Sequence, residues 1–320
     1  MSAAIEDLAS KLGTLGLRAT SVEELSGDVS PRRYFRAALT GGARCIVALY
    51  PAEMRDVQER FVATTELLTQ TGVRVPEILA NATAEGIMAV EDFGGQALFQ
   101  DGRYPGDEFV FAAAAIALRI ASIPPETLEG LLPPLDGAQL QSELEQTWTM
   151  ALEPNGLCRD QRLGQRLDQL LKAVCGRLDE ANPWPSHRDF MARNLMVLPS
   201  GELGVLDHQD LRPAPAGYDL ASLVSDSLIC PNGPRAAVRA SGRLKEAHFD
   251  RLVVQRTFKI VGTFFAFAAR GAQRHLTLVP ATINTGKEAL FRLPEAELLD
   301  GLERELENAL RAVSAAAASP

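Results

Sequence analysis

Cysteine and histidine are scarce in this chain, with four of each among 320 residues. Cys45, Cys158, Cys175 and Cys230 stand far apart, with no C-x-x-C pair and no His/Cys cluster. Structural zinc sites and disulfide frameworks need clustered or regularly spaced ligands, so neither is expected, and the thiols read as those of a reducing compartment. Long hydrophobic runs are missing too. The most apolar stretches, 109–123 and 260–269, fall short of the roughly 20 residues that cross a bilayer. Arg119 also interrupts the first. The N-terminal segment carries Glu6 and Asp7 where a secretory signal would be apolar. A surplus of positive charge is absent: 32 Lys and Arg face 41 Asp and Glu, a formal net charge of −9. That sign opposes sequence-independent binding to nucleic acid or to anionic membranes. The expectation is a cytoplasmic protein with neither as a partner.

The hydrophobic content of 46% and charged content of 23% are those of a globular chain long enough for two lobes. Residues 3–13 read as a short amphipathic helix. Residues 33–39 and 45–50 read as strands joined by a Thr40-Gly41-Gly42 turn. Apolar positions Val57, Phe61, Val62, Leu67 and Leu68 give a helix over 55–71, ended by Gly72. Val75–Ile78 leads into another strand, and 86–91 is a further buried one. The region to about residue 92 is thus a small sheet with one inserted helix. Beyond it the pattern turns helical: 109–123, stopped by Pro124-Pro125, then 137–152, with Leu140, Leu144 and Trp148 on one face, then 160–180. Two short strands, 195–198 and 203–206, flank a Pro199-Ser200-Gly201 turn, and the chain from 217 onward is mostly helical.

Residues 187–194 read His-Arg-Asp-Phe-Met-Ala-Arg-Asn, an H-x-D-x-x-x-x-N pattern after a proline-rich entry at 183–185. Phosphoryl transfer needs little covalent help from protein, so such a loop supplies positioning and charge neutralisation. Asp189 would accept the proton of an acceptor hydroxyl, Asn194 would reach a magnesium ion, and His187 would brace the loop. Asp207 ends an apolar strand in Gly-Val-Leu-Asp-His-Gln-Asp, well placed to hold Mg²⁺ against nucleotide phosphates. Asp210 either caps that loop or faces the acceptor, and His208 reads as a packed loop residue.

These segments, with Gly217-Tyr218-Asp219-Leu220, resemble the aminoglycoside-phosphotransferase superfamily of small-molecule kinases. The best match within it is the anomeric kinases of N-acetylmuramate and N-acetylglucosamine, which share the loop and a D-x-Q-D element like Asp207–Asp210. Asp28-Val-Ser-Pro-Arg-Arg-Tyr-Phe-Arg36 and the Q-R-x-x-K-x-x-G segment Gln255–Gly262 are similar to further elements of that group. The resemblance implies an α+β, bilobal protein-kinase-like fold. Residues 1–92 would be a small β-rich, nucleotide-binding N-lobe, and 93–320 a larger helical C-lobe with the acceptor pocket. It implies ATP and Mg²⁺ as cofactors and a small-molecule acceptor, an amino sugar phosphorylated at C1 in cell-wall sugar recycling. Ser30, Arg32 and Arg33 would lie over the ATP phosphates. Glu91 and Asp92 would form a hinge whose backbone reads adenine. Asp219 would anchor the helix after the metal loop, and Glu143 would lie near the sugar.

Two departures stand out. No G-x-G-x-x-G loop is present, and the strand that should carry the phosphate-gripping lysine of V-A-x-K reads Val47-Ala48-Leu49-Tyr50. A protein-kinase reading loses ground, and an arginine, Arg33 or Arg36, would have to neutralise phosphate instead. The alternatives are a kinase of another small alcohol, aminoglycoside-, choline- or homoserine-like, or a nucleotide-binding pseudokinase. Cationic acceptors rank lower, because Asp226, Glu246, Asp250 and Glu288 stand among a comparable number of basic residues. Retention of Asp189, Asn194 and Asp207 opposes the pseudokinase.

Overall fold

Alternation of side chains between two packed faces along 33–39 and 44–49 builds the centre of a five-stranded antiparallel sheet, seen in a computed structural model. The structure describes residues 3–25, 31–94, 96–98, 106–179, 182–226 and 244–318. Its strands are β1 (Ala19–Leu25), β2 (Arg33–Leu39), β3 (Arg44–Leu49), β4 (Ile78–Ala82) and β5 (Ile87–Glu91), in the order β1-β2-β3-β5-β4. The β2–β3 turn needs two consecutive left-handed residues, which Gly41 (φ 94°) and Gly42 (φ 88°) supply without a Cβ penalty.

Period-two alternation sends Phe35, Ala37, Cys45 and Val47 to one face, where they bury with Leu8 and Leu12 of helix α1 (Ala3–Thr14). The other face buries Ala48, Tyr50 and Met88 against Phe61 of helix α2 (Arg55–Gln70). Strand β1 was not legible beforehand. Only Val22 of its seven residues is buried, as suits an edge strand held by its ladder with β2.

Contacts divide the chain into two units. The first contains residues 1–98 and 194–211. It therefore includes a later hairpin, β8 (Leu195–Val197) with β9 (Leu203–Val205), which extends the two-residue strand β6 (Gln96–Ala97). Val205 N–H donates to Arg74 O at 2.8 Å, and Leu98 N–H to Leu195 O at 2.7 Å.

The second unit, 99–193 and 212–320, is helical. Its centre is the helix Glu246–Ala269, 24 residues long. The apolar run 260–269 understated it. Among the described residues it is the one helix long and apolar enough to cross a bilayer, yet 67% of its apolar window is buried inside the protein. Leu140, Leu144 and Trp148 are buried, but the single helix expected over 137–152 is broken into Gly137–Glu143, Glu145–Thr147 and a wider π turn, Trp148–Leu152. The proline-rich entry is a strand: β7 (Pro183–Ser186) pairs antiparallel with β10 (Arg212–Pro215). A two-stranded ladder uses only alternate N–H groups of each strand, which leaves room for prolines.

Candidate active site

The loop that begins at His187 is pegged from below by one short helix, Tyr218–Ser225, and the residue after it. The buried Asp219 carboxylate accepts from His187 N–H at 2.7 Å and Arg188 N–H at 3.0 Å. Asp226, seven residues or two turns later, accepts from Ala192 N–H at 2.7 Å. The two carboxylates thus hold both ends of the turn that presents Asp189. Arg188 has φ 76°, a left-handed conformation that costs a non-glycine residue about 1 kcal/mol or more, and the Asp219 bonds offset it. His187 is buried, with its ring edge-on to that of Phe190 at 5.7 Å.

Around Asp189 lies a charge cluster. Glu143, closing the helix Gly137–Glu143, accepts from Arg188 Nη2 at 3.0 Å and Gln255 Nε2 at 3.1 Å, with Lys259 Nζ at 3.8 Å. Arg256, whose side chain is 1% exposed, donates to the Tyr218 hydroxyl at 2.7 Å and brings Nη2 to 3.9 Å from Asp189 Oδ1. Asp189 itself keeps 37% of its side chain exposed. Burial works to raise its pKa, but Lys259, Arg256, Arg188 and His187 outweigh that and hold the carboxyl below the usual carboxylate range. Glu143 is lowered in the same way: burial opposes, and Lys259, Arg188 and Arg256 prevail. Burial and the neighbouring Arg256 lower Lys259. The cluster therefore contains three cationic side chains and two carboxylates, of which Asp189 is the more exposed.

Gln255, Arg256 and Lys259 belong to the Q-R-x-x-K-x-x-G segment, whose individual roles were not legible. The tertiary contact that orients it is Gly262. A Cβ there would stand 2.6 Å from Thr147 Cα and N, so the two helical elements cross closely, and Thr147 Oγ1 donates to Phe258 O at 2.7 Å. Asp226 was read only as one of several scattered acids, and its bond to the loop at Ala192 was not legible. Its one signal is the two-turn spacing from Asp219.

In the first unit, the β8–β9 register pairs Leu195 with Val205, and Leu206 N–H donates to Asn194 O at 2.8 Å. Asn194 and Asp207 therefore emerge from the same end of one hairpin. Asp207 has φ 60°, and its side chain is 42% exposed. Its Oδ1 accepts from Arg32 Nη2 at 3.3 Å and Gln209 Nε2 at 3.1 Å, while no described residue donates to Oδ2. Among the described residues no group of three or more His, Cys, Asp or Glu could hold a metal. Mg²⁺ needs only one or two protein oxygens when phosphates and water complete its octahedron, so Asp207 with Asn194 fits that ion. His208 is a packed residue: its Nε2 meets Thr65 Oγ1 at 2.8 Å and its ring lies 4.3 Å from Phe61, tying the loop at Asp207 to α2. Asp210 is half-buried at the end of this loop.

The remaining expected residues separate. Ser30 lies outside the described residues. Arg32 faces Asp207, whereas Arg33 points to the opposite side and pairs with Glu24 at 2.9 Å. Arg36 donates to Asp92 Oδ2 at 2.8 Å, and Arg44 stands 3.7 Å from the same oxygen. Glu91 is ion-paired to Arg74. The side chains of Glu91 and Asp92 are thus taken up within the unit, and any adenine contact would fall to their backbone.

A β-sheet unit with one packed α2 helix, a helical unit and a pegged H-x-D loop define a kinase-like fold. The choline kinase LicA from Streptococcus pneumoniae has this fold, at TM-score 0.64 and 15% identity over 91% of this chain and 100% of that one. So does a GDP complex of aminoglycoside 2′-phosphotransferase-IIIa, at TM-score 0.63 and 16% identity over 91% and 99%. The family model described as the phosphotransferase enzyme family matches residues 21–254. The chain is also 32% identical over 299 residues to an N-acetylmuramate/N-acetylglucosamine kinase of Pseudomonas aeruginosa, covering 85% of each. The chain belongs to the phosphotransferase enzyme family and is a phosphotransferase, a small-molecule kinase.

Proposed function

We propose that this enzyme transfers the terminal phosphate of ATP to the anomeric C1 hydroxyl of an amino sugar, N-acetylmuramate or N-acetylglucosamine, in the recycling of cell-wall sugars in the cytoplasm. The observation that carries the reading is Asp189: an ionised, part-exposed carboxylate on a loop pegged by Asp219 and Asp226. A carboxylate held below its ordinary pKa is a weak base. It serves best for a hydroxyl more acidic than an ordinary alcohol, which an anomeric OH is, with the proton taken late and positioning carrying much of the barrier. The name of the Pseudomonas relative supports the same acceptors.

In this mechanism Asp189 orients the hydroxyl and receives its proton. Asp207 and the Asn194 amide would hold the Mg²⁺ that neutralises charge on the β- and γ-phosphates. His187 and Arg188 keep Asp189 in place through the Asp219 bonds. Glu143 and Asp210 are assigned to the acceptor, Glu143 by fixing Arg188 and Lys259 beside Asp189.

A phosphotransfer assay over amino sugars, aminoglycosides and choline tests the reading. Phosphorus NMR separates a C1 phosphate, labile to mild acid, from a stable C6 ester. Turnover of choline or an aminoglycoside with none on either sugar would replace the acceptor while leaving the kinase chemistry.

A further inference from the structure

Kinases of this fold grip the nucleotide phosphates with a lysine on the third strand, held by a glutamate from the helix packed on the sheet. Neither half of that pair exists here. Tyr50 stands at the lysine position of Val47-Ala48-Leu49-Tyr50. The buried positions of α2 are Gln58, Phe61, Thr64, Thr65 and Leu68, and its glutamates Glu59 and Glu66 are exposed. Gln58 is committed to Asn81 Oδ1 at 2.7 Å and Ile87 O at 3.1 Å.

The missing cation reappears one strand away. The β2–β3 register pairs Arg33 with Leu49 and Tyr34 with Ala48, so Arg32 continues the ladder opposite Tyr50. Directly opposed residues of an antiparallel pair hold their Cβ atoms about 5 Å apart on the same face, so a long side chain from one can serve the space above the other. The Arg32 side chain is 10% exposed, and its guanidinium stands 5.5 Å from the Tyr34 ring centroid and 5.8 Å from that of Tyr50. Two aromatic faces thus limit its rotamers, and its Nη2 reaches Asp207 Oδ1 at 3.3 Å. The cation lies beside the carboxylate assigned to the metal, as a group bridging the same phosphates must. The rival arginines are committed elsewhere: Arg33 to Glu24 and Arg36 to Asp92.

We propose that Arg32 is the phosphate-gripping residue of this enzyme, a cation moved across the β2–β3 ladder from the position that Tyr50 now fills. The proposal rests on the nucleotide-dependent reading above. Tyr50 and Tyr34 act as positioning residues that hold the guanidinium over the site, and Asp207 holds it until phosphate takes over as its partner. An arginine fork can pair two phosphate oxygens at once, which a lysine cannot.

The test is calorimetric binding of Mg-ATP and, by competition, of adenosine to the unaltered chain, Arg32→Ala, Arg33→Ala, Arg36→Ala and the double variant Arg32→Ala/Tyr50→Lys, each with its melting temperature. We expect Arg32→Ala to weaken Mg-ATP about 10- to 100-fold, the size of a lost charged hydrogen bond, and to leave adenosine unchanged. We expect the double variant to recover part of that loss by restoring a cation to the third strand. Undiminished Mg-ATP affinity in Arg32→Ala overturns the assignment, as does a loss carried by Arg33→Ala or Arg36→Ala instead, or an equal loss for adenosine. An unaltered chain that binds neither ATP nor GTP would overturn the kinase reading itself, an outcome distinct from all of these.

Discussion

Replacing Gly262 by alanine sets two effects of known size against each other. Alanine in a helix interior is favoured over glycine by about 1 kcal/mol. The new methyl, however, would lie 2.6 Å from Thr147 Cα, N and Oγ1. That is roughly 1 Å short of the ~3.5–4.0 Å at which carbon atoms rest. Two of the three atoms are backbone, so no rotamer change relieves the contact, and the helix Glu246–Ala269 must back away from Glu145–Thr147. Overpacking of this kind costs about 1–3 kcal/mol, and here it also strains the 2.7 Å bond from Thr147 Oγ1 to Phe258 O. The net is a loss of up to about 2 kcal/mol. The same helix carries Gln255, Arg256 and Lys259, so the shift also loosens the Gln255–Glu143 bond of 3.1 Å and the cations around Asp189. A displacement near 1 Å is enough to lower kcat by up to roughly 10²-fold. Denaturant unfolding and steady-state kinetics check both effects. Gly176 is the control: it lies in the helix Arg162–Asp179 with nothing within 4 Å of its would-be Cβ. Gly176→Ala should therefore gain the propensity term of about 1 kcal/mol alone. A Gly262→Ala protein as stable and as active as the unaltered chain would refute the argument for close helix crossing.

Asp189→Asn should lower kcat by about 10²–10⁴ while nucleotide affinity stays within twofold, read by calorimetry; a loss under about tenfold removes Asp189 from the role of base. Asp207→Ala should abolish the gain in ATP affinity that Mg²⁺ brings, and a variant that keeps the whole gain shows the metal is held elsewhere. Lys259→Met should raise the pKa of Asp189 towards the ordinary value and move the acidic limb of the kcat/KM profile to higher pH, since Lys259 is foremost among the charges that depress it. The stability sign follows from the same depression. The Asp189 contribution is complete above the unfolded carboxylate pKa of about 4 and is lost as pH falls towards the lower folded value, so the variant loses part of it at neutral pH. An unmoved acidic limb would place the titrating group elsewhere.

Much of the candidate site was legible because its residues sit on short local patterns. His187, Asp189 and Asn194 share one octet, and Asp207 follows at the distance one hairpin sets, so the turn chemistry of 199–201 was enough to bring Asn194 and Asp207 to one end of it. Strand β1 was not legible, since an edge strand with one buried residue carries almost no hydrophobic alternation. The proline strands β7 and β10 were hidden for the opposite reason: proline argues locally against a ladder that tertiary pairing nonetheless forms.

By itself, the order of residues determined the kinase-like plan, the H-x-D-x-x-x-x-N octet, the aspartate that ends the hairpin after it and the absence of the third-strand lysine, because each depends on identity and spacing along a few residues. Which arginine answers that absence was beyond it. Arg32, Arg33 and Arg36 are near neighbours in sequence, and only the pleat and register of β2 against β3 send Arg32 to Asp207, Arg33 to Glu24 and Arg36 to Asp92. The environment of Asp189 was equally a tertiary decision. Glu143, Arg256 and Lys259 come from segments roughly 45 to 70 residues away, and their charges meet Asp189 because a glycine lets two helical elements approach within contact distance.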